Sequence, residues 1–173
     1  SPDKKYGELY ALPSQDNVEG GKQIEFLNES MDQLKEAAIK QLQAGETIWF
    51  GNDVLQQMDR QKGILDSELF LHDELFGINT KMSKAERFEY HEAEVSHAMT
   101  LTGVDVVNDQ PIKWKVENSW GPKIGDKGYF VMADNWMDDY TYEVVVKKEF
   151  LRDETKKVLD KAPIMLEPWD SLE

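Results

Sequence analysis

The chain has 173 residues, with 20 Lys or Arg and 34 Asp or Glu, so its formal net charge is −14. A surface of this charge repels phosphate backbones and anionic lipids, and we therefore expect no binding to nucleic acid or to membrane surfaces. The sequence has no cysteine, which excludes disulfide bonds, thiolate metal sites and a cysteine nucleophile supplied by this chain itself. The length allows one ordinary domain or a large part of a bigger one.

The first part of the chain predicts an irregular segment followed by a helix. Residues 1–23 combine Pro and Gly with many polar residues, which is typical of a loop or an extended lead-in. Ser30 and Gln33 have the spacing of a capping box, and Gly45 stands where a helix would end. Apolar residues recur between them at helical spacing, at Leu27, Met31, Leu34, Ala38 and Leu42. We therefore predict a helix at about 29–44.

The next part of the chain changes from helical spacing to short apolar runs. Residues 47–50 are β-prone and lie between two glycines, so they predict a strand, and residues 63–65 predict another. Residues 56–58 predict a helical turn, whereas the charged segment 83–90 has no clear preference.

The second half of the chain predicts a sheet built from several short strands. Residues 108–111 have the composition of a turn, and residues 121–128 that of a loop. The predicted strands around them are 97–107, 112–118, 129–132 and 142–146. Successive short strands separated by turns indicate an antiparallel sheet or a small barrel.

The histidines are the first candidates for chemistry, and there are only three of them. His91, Glu92, Glu94 and His97 lie close together in sequence and offer imidazole and carboxylate groups of the kind that bind metals. Their spacing does not match the i, i+4 histidine pair of a helical zinc motif, and an acidic chain often has Glu beside His. We expect no metal site here.

Three segments that follow one another carry a more specific signal. They are His97-Ala98, then Asn118-Ser119-Trp120-Gly121, then Gly125-Asp126-Lys127-Gly128-Tyr129. In this order they resemble the papain-like cysteine peptidases, in which a strand that begins with the catalytic His precedes a strand that ends in Asn-Ser-Trp-Gly. Residues 45–51, 116–121, 142–146 and 168–170 are similar to the bleomycin hydrolase branch, called aminopeptidase C in bacteria.

The resemblance implies an α+β chain that forms the antiparallel β-barrel half of a papain-like fold, with a leading helix and a C-terminal arm. The corresponding ranges are an extended lead-in at 1–23, the barrel half at 24–162 and the arm at 163–173. The barrel half of this fold carries the catalytic His and Asn.

The resemblance also implies a role for each site residue. His97 is the general base and acid that pairs with a thiolate, and Asn118 orients its ring. Trp120 covers their hydrogen bond and keeps water from it. In the family the terminal carboxylate meets the amino group of the substrate, which makes Glu173 the candidate anchor. No cofactor and no metal is implied.

The function implied is removal of N-terminal residues from peptides in the cytoplasm. The family's Cys lies upstream, so we expect this chain to be a C-terminal fragment, inactive alone, whose partner is the Cys-bearing N-terminal half. Family members form six-subunit rings, so we expect a homo-oligomer. Only three residues follow Asp170, fewer than in family arms as a rule. A related cysteine endopeptidase with an altered arm and a non-catalytic binding module (a pseudo-peptidase) are the alternatives.

Overall fold

A computed structural model of the chain describes residues 4–170. The strands are β1 (Glu8–Ala11), β2 (Glu25–Asn28), β3 (Ile48–Asn52), β4 (Met58–Asp59), β5 (Ile64–Leu65), β6 (His97–Val107), β7 (Gln110–Glu117), β8 (Tyr129–Ala133), β9 (Thr141–Val145) and β10 (Ile164–Met165). The α-helices are α1 (Met31–Gln43), α2 (His72–Phe76), α3 (Lys84–Glu89), α4 (Asp134–Tyr140) and α5 (Asp153–Val158). Within residues 4–170 no helix is long and apolar enough to cross a membrane.

The main sheet has seven strands in the spatial order β4-β5-β8-β7-β6-β3-β9 and curls into a half-barrel. Neighbouring strands are antiparallel, except that β5 and β8 run parallel. On β7 the side chains of Trp114 and Val116 are buried while Lys113 and Lys115 are exposed, which is the alternation of a half-buried strand. The strands predicted at 47–50, 63–65, 97–107, 112–118, 129–132 and 142–146 are confirmed, as β3 and as β5 to β9.

The predicted leading helix is also confirmed, as α1. Ser30 caps it by accepting a hydrogen bond from the backbone N–H of Gln33 at 3.4 Å. Lys35, although only 7% exposed, keeps its charge paired with Asp134 at 2.7 Å and Asp138 at 2.6 Å, both on α4. These two ion pairs join α1 to α4, and the Nε1–H of Trp114 in the sheet donates to Asp134 as well.

A second, three-stranded sheet has the order β10-β1-β2. β1 pairs with β2 in antiparallel orientation and with β10 in parallel orientation. It lies in the segment predicted to be an irregular or extended lead-in, yet Leu9, Tyr10, Ala11 and Leu12 are all buried. This sheet therefore joins the lead-in, the start of the barrel half and the arm, and the three ranges proposed from the sequence stay predictions.

The helical turn predicted at 56–58 is wrong. Gln57 has a φ of +45°, outside the right-handed helical region, and β4 begins at the next residue. Its side-chain amide instead binds the backbone of Phe70: Nε2 donates to the carbonyl oxygen at 3.2 Å, and Oε1 accepts from the N–H at 2.8 Å. A contact with a residue 13 positions away thus overrides the local preference for helix.

Candidate active site

The antiparallel pairing of β6 with β7 brings His97 and Asn118 to the same edge of the sheet. His97 is the first residue of β6, and Asn118 directly follows the last residue of β7. The register pairs Thr100 with Glu117, so the start of one strand lies beside the end of the other. The 21 positions that separate the two residues in sequence are therefore spanned by one hairpin.

The side chains of His97 and Asn118 are hydrogen-bonded, with Nε2 of the ring 3.0 Å from Oδ1 of the amide. The backbone N–H of Ser119 donates to the same Oδ1 at 2.7 Å. Because a backbone N–H can only donate, this contact fixes which end of the amide is oxygen. An amide oxygen only accepts, so Nε2 of His97 carries the proton and Nδ1 is left to act on a reacting group.

Trp120 covers the imidazole. Its ring stacks on that of His97, with the ring centroids 4.9 Å apart and the planes 26° from parallel. Phe130 packs edge-on against the indole at 6.0 Å and supports it from the core. Asn118 is only 8% exposed, so its bond to His97 is largely protected from water. The three residues predicted as catalytic or supporting therefore lie together.

The loop after Trp120 requires glycine for its shape. Gly125 has a φ of +63°, and a Cβ there would lie 2.5 Å from the carbonyl oxygen of Tyr129 and 2.7 Å from the ring of Phe130. At the end of the loop, the carbonyl of Gly128 accepts from the backbone N–H of Asn118 at 3.0 Å. The Gly-x-x-Gly segment thus folds back on the strand end that carries Asn118.

Arg60 also lies beside the candidate site, although no sequence motif marks it. It lies between β4 and β5, and its guanidinium carbon is 4.7 Å from the centroid of the Trp120 indole. This contact lies within the range of a cation–π interaction. Nothing in the local sequence signals it, because the two residues are 60 positions apart and meet through the pairing of β5 with β8 and of β8 with β7.

A half-buried carboxyl group lies beside the strand that begins with His97. On β3, Gly51 pairs with Ala98 on one side and with Glu143 on the other. A Cβ at Gly51 would lie 2.5 Å from Oε1 of Glu143 and 2.8 Å from Val95, so the glycine leaves room for both side chains. Burial raises the pKa of Glu143. This carboxyl group therefore holds a proton to higher pH than an exposed Glu.

The candidate anchor Glu173 lies outside the described residues. The chain leading to it is fixed by β10, by Leu166, whose N–H donates to Ala11 at 2.8 Å, and by an ion pair of 2.8 Å between Lys4 and Asp170. Trp169 is 77% exposed within this chain. Among residues 4–170, no three His, Cys, Asp or Glu side chains are grouped closely enough to hold a metal ion.

The comparison with known proteins identifies the family of the chain. The model of the Peptidase C1-like family matches residues 1–173. Aminopeptidase G of Lactobacillus delbrueckii subsp. lactis is 52% identical, and aminopeptidase E of Lactobacillus helveticus 53% identical, each over 99% of this chain. The chain spans only 39% of the length of each of these relatives.

The solved structures agree with the fold as well. A crystal structure of pepW from Lactobacillus rhamnosis HN001 superposes with a TM-score of 0.93 at 50% identity, over 99% of this chain and 39% of that one. The papain-like fold and the α+β class expected from the sequence are thereby confirmed. With a family model that matches its whole length and relatives about half identical to it, the chain belongs to the Peptidase C1-like family.

Proposed function

We propose that this chain is the part of a cysteine aminopeptidase that holds the general base and its orienting group. The observation that carries the proposal is the hydrogen bond of 3.0 Å between Nε2 of His97 and Oδ1 of Asn118, beneath the ring of Trp120. A neutral orienter suits a base that must keep its positive charge paired with a thiolate. The same hydrogen bond directs Nδ1 of His97 toward the nucleophile.

The reaction divides into two steps that both use Nδ1. The thiolate attacks the carbonyl carbon of the peptide bond, and a C–S bond forms. As the C–N bond breaks, Nδ1–H of His97 gives its proton to the leaving nitrogen, which departs as an amine. Water then attacks the thioester carbon and passes a proton to Nδ1. The C–S bond breaks, and the carboxylic acid product, the thiolate and the imidazolium result.

We propose that the nucleophile belongs to a segment outside this chain. The 173 residues contain no cysteine, and the chain spans 39% of the length of relatives that are named aminopeptidases. We therefore infer that this chain corresponds to the C-terminal part of a longer enzyme and is inactive without the segment that carries Cys. The aminopeptidase direction rests on the names of these relatives, and Glu173 is the proposed anchor for the amino group of the substrate.

Exposed apolar residues support a larger assembly. Between residues 70 and 78, five apolar side chains are from 48% to 75% exposed: Phe70, Leu71, Leu75, Phe76 and Ile78. We refer to these five residues as the 70–78 patch. Such a patch is unfavourable in water and is typical of a surface that packs against other protein. We propose that the complete protein covers it with further polypeptide and acts in the cytoplasm as a homo-oligomer, a hexamer as in the family.

The test compares free and N-acetylated peptides as substrates of the complete protein. We expect the wild-type protein to hydrolyse the free peptides only. We expect this activity to be lost in His97→Ala and retained in His72→Ala. His72 is an exposed residue of α2 and serves as the matched control. Equal hydrolysis of both peptide types points instead to an endopeptidase. A complete protein with neither hydrolysis nor an alkylatable thiol is a binding module. Unchanged rates in His97→Ala contradict the assigned roles.

A further inference from the structure

The guanidinium of Arg60 is the charged group that lies against the site without a role in the chemistry described above. Its carbon is 4.7 Å from the centroid of the Trp120 ring, and the same ring stacks on His97 at 4.9 Å. Both groups therefore contact one indole, and the side chain of Arg60 is exposed at that place. Through this shared ring the guanidinium carbon lies no more than 9.6 Å from the centre of the imidazole, the two distances taken together.

This guanidinium is available to bind a ligand. Across residues 4–170 it has no ion pair or hydrogen bond, although the chain contains 34 acidic residues. The neighbouring Asp59 is already engaged. Its Oδ1 accepts from the N–H groups of Gln61 at 3.1 Å and Lys62 at 3.0 Å, and its Oδ2 is 3.6 Å from the Lys62 ammonium. The backbone hydrogen bond from Lys62 is the main reason why the pKa of Asp59 is lowered.

The direction of the chemistry indicates which part of a substrate lies near Arg60. His97 gives a proton to the leaving nitrogen, so the leaving group lies against His97, whose ring stacks on the indole that Arg60 contacts. When the substrate is a dipeptide, the leaving group is a free amino acid. Its carboxylate carbon is two bonds from the amine, a distance of about 2.5 Å given bonds of roughly 1.5 Å. That places a negative charge close to the leaving nitrogen and hence close to His97.

Arginine is suited to this ligand. Its planar guanidinium stacks over an aromatic ring and still presents N–H donors at its edge to the two oxygens of a carboxylate. Contact with Trp120 also restricts the side chain in advance, so less conformational entropy is lost on binding.

We propose that Arg60 binds a substrate carboxylate on the leaving-group side of the scissile bond and so favours peptides that carry a negative charge there. The carboxylate is either the terminal one of a dipeptide or the side chain of an acidic residue directly after the bond. This proposal rests on the proposed function, because it uses the direction in which His97 transfers its proton.

The experiment measures kcat/KM of the complete protein for two pairs of substrates. The first pair is Leu-Gly and Leu-Gly-amide, which differ in the terminal carboxylate. The second pair is Leu-Glu-amide and Leu-Gln-amide, which differ in a side-chain carboxylate. Wild type is compared with Arg60→Met, with Arg60→Lys, and with Lys62→Met as the control. Lys62→Met removes a positive charge from the same turn, where the side chain is 73% exposed.

We expect wild type to prefer the charged member of at least one pair by about five- to tenfold, the range of a charge-assisted hydrogen bond at an exposed site. Arg60→Met loses that preference: its ratio of kcat/KM for the charged and the neutral member of the pair falls to about one. Arg60→Lys keeps part of the preference, and Lys62→Met keeps all of it. The pair that responds identifies the source of the carboxylate.

Two results overturn the proposal in distinguishable ways. If wild type and Arg60→Met have the same ratio in both pairs, Arg60 does not select the substrate, while the peptidase function stands. If wild type hydrolyses none of the four substrates, the proposed function fails and the role of Arg60 fails with it. Thermal unfolding of each variant establishes that the variant is folded, so that a lost substrate preference is not caused by unfolding.

Discussion

The amide oxygen of Asn118 accepts from Nε2 of His97 across 3.0 Å while the next backbone N–H, that of Ser119, holds the same oxygen at 2.7 Å. The amide of Asn118, the proposed orienting group, is thus itself held in place by the backbone of the next residue. The consequence is a fixed tautomer, since only a ring with its proton on Nε2 makes this bond. The second nitrogen of the imidazole is then free for proton transfer.

Asn118→Ala removes the acceptor that holds the imidazole, and we expect kcat of the complete protein to fall about 100-fold, the scale on which misplacing a catalytic group acts. On the proposed function KM changes less, because the contact of Asn118 is with His97, the proposed base. Steady-state kinetics on a free peptide separate the two constants. Asn17→Ala, in an exposed loop, is the control and should leave both unchanged. A kcat for Asn118→Ala within twofold of wild type contradicts the orienting role.

Gly125→Ala tests the loop that follows Trp120. The new Cβ meets the backbone oxygen of Tyr129 at 2.5 Å, in a conformation with a φ of +63°. We expect a loss of about 1–3 kcal/mol in the free energy of unfolding, measured by urea denaturation. Gly103→Ala is the matched control, since its Cβ meets only Cβ of Lys115 at an ordinary 3.5 Å. Equal effects of the two substitutions would contradict the strain at Gly125.

The sequence predicts which residues lie together where its signal is local. His97, Asn118 and Trp120 occur in short motifs, and one β-hairpin suffices to bring them together. α1 follows from its apolar spacing and its cap. Arg60 is different, because it reaches Trp120 through the pairing of β5 with β8 and of β8 with β7, and no pattern within a few residues records those pairings.

The same limit explains the errors in the fold. Gln57 lies in a helix-prone run, yet its side chain is held by the backbone of Phe70. β1 lies among Gly, Pro and polar residues that indicate a loop or an extended lead-in, and it is a strand because β2 and β10 pair with both of its edges. In both cases partners distant in sequence decide the conformation.

The 70–78 patch leads to a prediction about this chain on its own. Leu75 and Phe76 are 75% and 64% exposed, and we expect the isolated chain to self-associate through the patch. Leu75→Glu should lower the mass measured by light scattering at a given concentration. Val107→Glu, at the tip of the β6–β7 hairpin, changes an apolar residue outside the 70–78 patch that is 49% exposed and serves as the control. A monomeric wild-type chain contradicts this prediction.

Lys84 makes the free energy of unfolding depend on pH in the alkaline range. Burial is the main cause that lowers its pKa from 10.5 to about 8, although its ammonium donates to the carbonyl of Thr141 at 2.6 Å. Below pH 8 the side chain is charged in both the folded and the unfolded state, and the folded state bears the cost of burying that charge. Between pH 8 and 10.5 the folded state releases a proton that the unfolded state keeps. The free energy of unfolding therefore receives from Lys84 a contribution that rises with pH across this window.

Lys84→Met removes this contribution, so we expect the variant to gain stability relative to wild type at pH 7 and to lose that advantage toward pH 10. Urea denaturation at the two pH values measures the difference. Lys81→Met, which removes an ammonium that is 71% exposed and only loosely paired with Glu68 at 3.7 Å, corrects for the general effect of losing one positive charge. If the difference between Lys84→Met and wild type is the same at both pH values, the ammonium is not buried at a cost. The contact with Thr141 then compensates fully for its loss of water.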